Sequence, residues 1–404
     1  MKTIIYKSQA NGSVTAPTSK SMAHRLLIAA SLADGVSRIF GVTLCDDVLA
    51  TIDCLRALDV KCDISGDRIT VCGRGLKNAS ASAPLDARES GSTLRFMIPI
   101  ALLSGNETVF RGAKRLLERP MEIYEELCET KRFRFARGGD TITVQGKLSG
   151  GEYDIPGNIS SQFITGLLFA LSAIGEESRI RITTEIESKS YIELTRSAMA
   201  EFGVEVIWEN DTTLFIKGGQ HYTAKDVTVE GDYSGTAFLH AFNLFDGNVR
   251  VDGLRDDSLQ GDRAYQDYFP ALKKGTPTIN IEDCPDLGPI LFAVSAGLNG
   301  AEFIGTKRLK IKESDRAEAM AQELRKFGCD ITVFENSVRI KKSALHTPKE
   351  TLFGHNDHRI VMSLAVLASI HGGEIDGSEA IKKSYPGFFE DIARLGIKFT
   401  HCEI

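Results

Sequence analysis

Four short phrases, Ala57-Leu58-Asp59-Val60, Phe202-Gly203-Val204, Phe327-Gly328-Cys329 and Leu395-Gly396-Ile397, each close an amphipathic helical stretch and precede an alternating one. That recurrence marks an internal repeat. Behind Phe202 the chain reads Val-Glu-Val-Ile-Trp, then Asn210-Asp211, then Thr-Leu-Phe-Ile, which is the pattern of a hairpin. The same shape returns behind Phe327 around Glu335-Asn336, and more weakly around Arg137-Gly138-Gly139-Asp140. The unit is therefore helix, strand, turn, strand, and its repetition implies an α/β architecture. One copy is degenerate: after Gln260-Gly261-Asp262-Arg263 the helix Tyr265 to Leu272 runs almost directly into Thr278 to Ile281, so a hairpin is missing there.

At 404 residues the chain exceeds what one hydrophobic core serves, so two domains and a site in the cleft between them are expected. A plausible crossover lies at residues 224 to 234. Eight cysteines without a Cys-x-x-Cys pair read as reduced, buried thiols. The first ten residues lack a signal peptide's apolar core and no run is long enough to span a membrane, which points to the cytoplasm. A net charge of −6 disfavours nucleic acid as a partner. Composition suggests a monomer.

Five segments place small polar or basic residues at the expected first turn of an apolar helix: Pro17-Thr18-Ser19-Lys20-Ser21, Glu89-Ser90-Gly91-Ser92-Thr93-Leu94-Arg95, Ser160-Ser161-Gln162, Lys312-Glu313-Ser314-Asp315-Arg316 and Asn356-Asp357-His358-Arg359. Ser19 reads as an N-cap, with Ser21 and Arg25 on one face at i, i+4. A helix start with free N–H groups, joined by Lys20 and Arg25, suits a phosphate or carboxylate. Gly91 would let an anion approach the backbone, and Gly105 reads as the end of that helix. Singly, each segment is equally an ordinary cap. Together, no shared structural job explains them.

These segments, with Glu118-Arg119-Pro120-Met121, resemble the signatures of the 5-enolpyruvylshikimate-3-phosphate synthase family, in the family's order from residue 17 to Pro386. The resemblance implies an inside-out α/β barrel of two similar domains built from βαβαββ units, with one repeat of the second domain shortened. It also implies domain limits of 20–228 and of 1–19 with 229–404. The first would be the shikimate 3-phosphate side, and the second would carry the catalytic carboxylates and the phosphoenolpyruvate arginines.

By the same carry-over, Lys20, Ser21, Arg25, Ser160, Ser161, Gln162, Ser188, Tyr191, Asp286 and Lys312 hold shikimate 3-phosphate. Lys20, Gly91, Arg119, Gln162, Arg316, Arg359 and Lys383 hold phosphoenolpyruvate, whose carboxylate and phosphate call for forked guanidinium partners. Addition followed by elimination needs an acid and a base. Asp286, in Cys284-Pro285-Asp286-Leu287, matches the carboxylate that takes the hydroxyl proton; from sequence alone it is as well read as an N-cap. Glu313, oriented by Lys312, is the candidate acid toward C3, with Lys20 and Lys383 completing the catalytic set; Lys383 is suited to the leaving phosphate. His358 with His355 lacks further ligands, so no metal or other cofactor is expected. Two multiply charged substrates should draw the domains together.

Thr18, Glu89-Ser90 and Arg308 depart from the family's common residues, so the substrate contact some members make at the Arg308 position is not carried over. The related transferase acting on UDP-N-acetylglucosamine would need a reactive loop cysteine, and none lies between Gly105 and Arg119. A non-catalytic sensor of anionic metabolites would not need Asp286, Glu313 and Lys383, and RNA-end processing would need a basic track.

Overall fold

The computed structural model describes residues 1–77 and 79–402. Contacts divide the chain into two units, Thr18–Glu230, and Met1–Pro17 together with the chain from Gly231 onward.

In the Thr18–Glu230 unit the clearest copy of the repeat runs strand Gly151–Ile155, helix Ser161–Ile174, strand Ser178–Ile182, helix Lys189–Glu201, then the hairpin Val206–Asn210 and Thr213–Ile216. Its first two strands are parallel, with Gly151 opposite Ser178, and Ser178 then pairs antiparallel with Ile216. The run Ser-Arg-Ile-Arg-Ile alternates as a half-buried strand must, placing Ile180 and Ile182 inside and Arg181 outside. A second copy uses Leu85–Asp86, Gly91–Ala101, Thr108–Arg111, Glu122–Lys131, Arg134–Gly138 and Thr141–Gln145. In the third, the missing first strand is supplied by Val227–Thr228, parallel to Asp34–Phe40.

The helix Ser161–Ile174 is apolar on every side, so it must be surrounded. Ile164, Leu167, Leu168, Phe169 and Leu171 are fully buried, each contributing roughly 1.5–3 kcal/mol. It packs along Gly91–Ala101 closely enough that a Cβ on Gly166 would lie 2.5 Å from the Arg95 carbonyl oxygen. Gly91–Ala101 stops earlier than sequence suggests: the Leu102 N–H closes on the Ile98 carbonyl, and Gly105, at φ +83°, turns the chain three residues later. The polar break after Leu103 is visible in sequence, whereas the last helical hydrogen bond is not.

The second unit holds two four-stranded sheets and a two-stranded one. In the latter, Asn248–Asp252 pairs in parallel with Asn11–Thr15, and no hairpin follows helix Tyr265–Lys274 before Thr278–Asn280 opens the next copy. This is the shortened repeat. The last copy closes with Lys2–Ile5 between Gly373–Asp376 and Phe399–Cys402. Helices Tyr233–Ala241, Gly288–Gly297 and His358–His371 pack on one another as the unit's interior. Among the described residues no helix is long and apolar enough to cross a membrane. The eight cysteines are unpaired and six are buried; burial pushes the Cys45 and Cys62 thiols up to about 12.

Candidate active site

The five polar helix starts singled out in the sequence each begin with a side-chain cap, whereas Lys189–Glu201, which carries Tyr191, has none. In the Thr18–Glu230 unit, Ser19 accepts from the Met22 N–H, Ser90 from the Thr93 N–H and Ser160 from the Gln162 N–H. Capping satisfies part of each helix start and fixes its first turn in place.

Arg25 is the best-enclosed cation of this unit. Its Nε donates to Thr195 Oγ1 at 2.9 Å, Nη1 to the Ser21 carbonyl at 2.7 Å and Nη2 to the Tyr191 carbonyl at 3.1 Å, with Phe96 and Tyr191 rings over the guanidinium. Burial lowers its pKa to about 10. Among the described residues no carboxylate pairs with it, so its charge is held in place by dipoles and rings alone. Ser21, Arg25 and Tyr191 are thereby brought together. Ser188, in the left-handed region at φ +57° and 1% exposed, stands at the start of the same Lys189–Glu201 helix.

A second cluster joins Gly91, Arg119 and Gln162. A Cβ on Gly91 would sit 2.8 Å from Arg119 Nη1 and 3.6 Å from Gln162 Oε1, so any side chain here has to displace the Arg119 guanidinium. Gln162 accepts from Arg95 Nη1 at 2.8 Å and donates to Ser92 Oγ at 3.0 Å. Arg119 is 7% exposed and its Nε has no hydrogen-bond partner among the described residues. A buried guanidinium so placed can take an anion. Lys20 pairs with Asp47 at 2.8 Å, and Ser160 and Ser161 are buried at the helix start behind Gln162.

In the other unit Lys312, Glu313, Arg316 and Arg359 form one ionic network around Asp286. Asp286 sits in a short 3₁₀ turn, Pro285–Leu287, and is not the N-cap of the next helix, Gly288–Gly297, which has no side-chain cap. Its Oδ1 accepts from Arg316 Nη1 at 2.8 Å and lies 3.1 Å from Lys312 Nζ, while Oδ2 accepts from Arg359 Nη2 at 3.0 Å. Burial alone would raise its pKa, but Arg359, Lys312 and Arg316 outweigh burial and hold it well below the usual range. Arg316, 1% exposed, also donates to Asp357 at 2.8 Å and Glu313 at 2.6 Å. Glu313 is thus oriented by Arg316, while Lys312 reaches Asp286. Burial lowers the Lys312 pKa. Lys383 Nζ donates to the Asn356 carbonyl at 2.6 Å, and Asp357 caps its helix by accepting from the Arg359 N–H at 3.0 Å.

Ser234, Asp262, Asp357 and Asp47 escaped the sequence reading as site residues. Ser234 Oγ accepts from Arg359 Nη1 at 2.6 Å. The Asp232-Tyr233-Ser234-Gly235 start repeats the capped-helix design of the other segments, a signal that could have found it. Asp262 is 3% exposed with its Oδ1 unbonded among the described residues; burial and the neighbouring Asp286 push its pKa up to about 6, against Arg359 and the Ser234 hydroxyl. Nothing local in Gln260-Gly261-Asp262 announces that.

Residues 5–392 match the family described as EPSP synthase (3-phosphoshikimate 1-carboxyvinyltransferase). Among curated proteins, the 3-phosphoshikimate 1-carboxyvinyltransferases of Clostridium novyi and Clostridium kluyveri are each 38% identical to the chain; the alignments cover 97% of the chain in both cases, and 97% and 96% of those proteins. Among solved structures, the EPSP synthase from Acinetobacter baumannii superposes with a TM-score of 0.79 at 20% identity, covering 100% of both chains, which speaks to the fold.

Proposed function

This chain belongs to the EPSP synthase family and transfers the enolpyruvyl group of phosphoenolpyruvate to shikimate 3-phosphate, and we propose that the two sets of residues above divide the work. In the Thr18–Glu230 unit, Lys20, Ser21, Arg25, Ser160, Ser161, Gln162, Ser188 and Tyr191 take shikimate 3-phosphate, with Arg25 supplying the buried charge. Lys20, Gly91, Arg119 and Gln162 take phosphoenolpyruvate there. In the other unit Arg316, Arg359 and Lys383 take phosphoenolpyruvate, and Asp286 with Lys312 takes the hydroxyl side of shikimate 3-phosphate.

The observation that carries this reading is Asp286 lying under three cations at once. A carboxylate so held is a weak base. When the phosphoenolpyruvate carboxylate competes for Arg316 and Arg359, Asp286 loses partners and gains basicity. The 5-hydroxyl oxygen then bonds to C2 of phosphoenolpyruvate and gives its proton to Asp286, while C3 gains a proton from Glu313, which takes up that proton from solvent once phosphoenolpyruvate has drawn Arg316 away from it. Elimination reverses the C3 step: C3 returns its proton to Glu313, the C2–O bond to phosphate breaks, and the leaving phosphate, accompanied by Lys383, takes the hydroxyl proton from Asp286, which restores both carboxyl groups. No net redox change occurs, and every step is carried by side chains. Because both substrates are small, multiply charged solutes, we propose that the reaction takes place in the cytoplasm, and from composition that the enzyme is a monomer.

Phosphate release by the purified, metal-stripped protein tests it, with each substrate alone, with both, and with Lys20→Met or Asp286→Ala enzyme. Release requiring both substrates, and a loss of about 10²-fold or more in the variants, is expected. Release with UDP-N-acetylglucosamine in place of shikimate 3-phosphate would reassign the acceptor. Binding of both substrates without release would make the chain a sensor.

A further inference from the structure

The helix Arg316–Lys326 grips the segment ahead of Asp357 at two points on one face. Arg316 opens the helix and holds Asp357 at 2.8 Å. Glu323, two turns on and therefore above it, lies 2.8 Å from His355 Nε2 through Oε1. Its Oε2 accepts the Phe353 N–H at 2.9 Å and the Lys326 ammonium at 2.7 Å, and Lys326 reaches on to the Thr351 carbonyl at 2.9 Å. Glu323 is 1% exposed. Burial by itself would push its carboxyl up, but hydrogen bonds from His355, Lys326 and the Phe353 N–H outweigh burial and keep it below the ordinary range. An ionised carboxylate only accepts, so His355 carries a proton on Nε2 and donates it.

The anchored His355, at φ +49°, and Asn356 between it and Asp357, at φ +52°, are consecutive non-glycine residues in the left-handed region. L residues disfavour that conformation and keep it only where the surroundings over-determine it, commonly at functional sites. The consequence of this turn is directional. It points the Asn356 carbonyl at Lys383 Nζ, 2.6 Å away, and delivers Asp357 to cap the helix that begins His358-Arg359.

We infer that Glu323, acting through His355, is a positioning residue for the transfer: it holds the left-handed His355-Asn356 turn and thereby aims Lys383 and Arg359. The inference rests on the assignment of Lys383 and Arg359 to phosphoenolpyruvate made above. A purely structural buried pair would lower stability without singling out one substrate. The clamp aims two cations that are assigned to phosphoenolpyruvate.

Glu323→Gln preserves shape and removes the charge. In the full-length enzyme, kcat/KM for phosphoenolpyruvate is expected to fall about 10- to 100-fold, as for a small misplacement of reacting groups, with calorimetric affinity for shikimate 3-phosphate unchanged. His355→Ala removes the same anchor from the partly exposed side, without disturbing the buried helix face, and should show the same selective loss. Adding Asn356→Gly to Glu323→Gln, where a positive φ carries no side-chain penalty, should restore much of it. Unchanged phosphoenolpyruvate kinetics in Glu323→Gln, an equal loss of shikimate 3-phosphate affinity, or no recovery in the double variant overturns the clamp. Lys383→Met separates this from the parent reading. If Lys383→Met leaves those kinetics intact, the site assignment fails and the clamp with it; if Lys383→Met is impaired and Glu323→Gln is not, only the clamp fails.

Discussion

Arg359 and Asp286 are joined twice, Nη2 to the carboxylate Oδ2 at 3.0 Å and Nη1 to the Asp286 backbone carbonyl at 3.2 Å. The guanidinium therefore meets the proposed base and its main chain together, and is oriented before any substrate anion arrives. An incoming carboxylate has to displace the first contact, while the second keeps the fork in register.

Removing the resident carboxylate separates binding from chemistry. Asp286→Ala should lower kcat by about 10²–10⁴, the usual worth of a general base. Affinity for phosphoenolpyruvate, measured by equilibrium dialysis with shikimate 3-phosphate present, should hold or rise, because Arg316, Arg359 and Lys312 lose a competing anion. A collapse of that affinity would mean that Asp286 orients the cations more than it occupies them.

Asp262 and Asp286 act on stability in opposite directions with pH. Asp262 has a folded pKa raised from 3.8 to about 6, so the unfolded chain releases this proton first. Stability from this group is full below the unfolded value and declines as pH rises through the folded one, by on the order of 3 kcal/mol. Asp286 is depressed, so its contribution is present above the unfolded value and lost as pH falls below it. Asp262→Asn should therefore melt higher than the parent at pH 7 to 8, and the gap should close as the pH is taken below about 6 in thermal unfolding scans. A gap independent of pH would assign the effect to packing.

Gly91→Ala tests the close approach at Arg119. The added Cβ meets Nη1 at 2.8 Å, and a guanidinium end can move aside, so folding should survive. The displaced Arg119 should raise KM for phosphoenolpyruvate roughly 10-fold, a change of about 1.4 kcal/mol, with KM for shikimate 3-phosphate unaffected. Equal changes in both would place Gly91 outside the phosphoenolpyruvate contacts.

Arg25 offers a separation of stability from function. Its charge is buried among hydroxyls, carbonyls and rings. Arg25→Met removes that desolvation cost, so the variant should melt at or above the parent temperature. Its affinity for shikimate 3-phosphate should fall by about 10²-fold, as expected for the loss of a charge-assisted contact of 1.5–3 kcal/mol. Calorimetry on the same preparation reads both.

Local chemistry was enough to reveal the repeat: alternation around Asn210-Asp211 and Glu335-Asn336 produces hairpins whatever surrounds them, and Ser19, Ser160, Asp315 and Asp357 cap helices by contacts a few residues long. The missing hairpin after Tyr265–Lys274 was legible for the same reason. The candidate side chains could be named from motif and order. Their partners could not be read from the chain, because Arg316 meets Asp286 across 30 residues, Arg359 meets Ser234 across 125, and Arg25 meets Thr195 across 170. Asp262 illustrates the limit: its carboxyl is ordinary in sequence and acquires its perturbed proton affinity only from burial beside Asp286. Short-range hydrogen bonds and periodicity are written residue by residue along the chain. Charge pairing and desolvation depend on distances that exist only after the helices have packed.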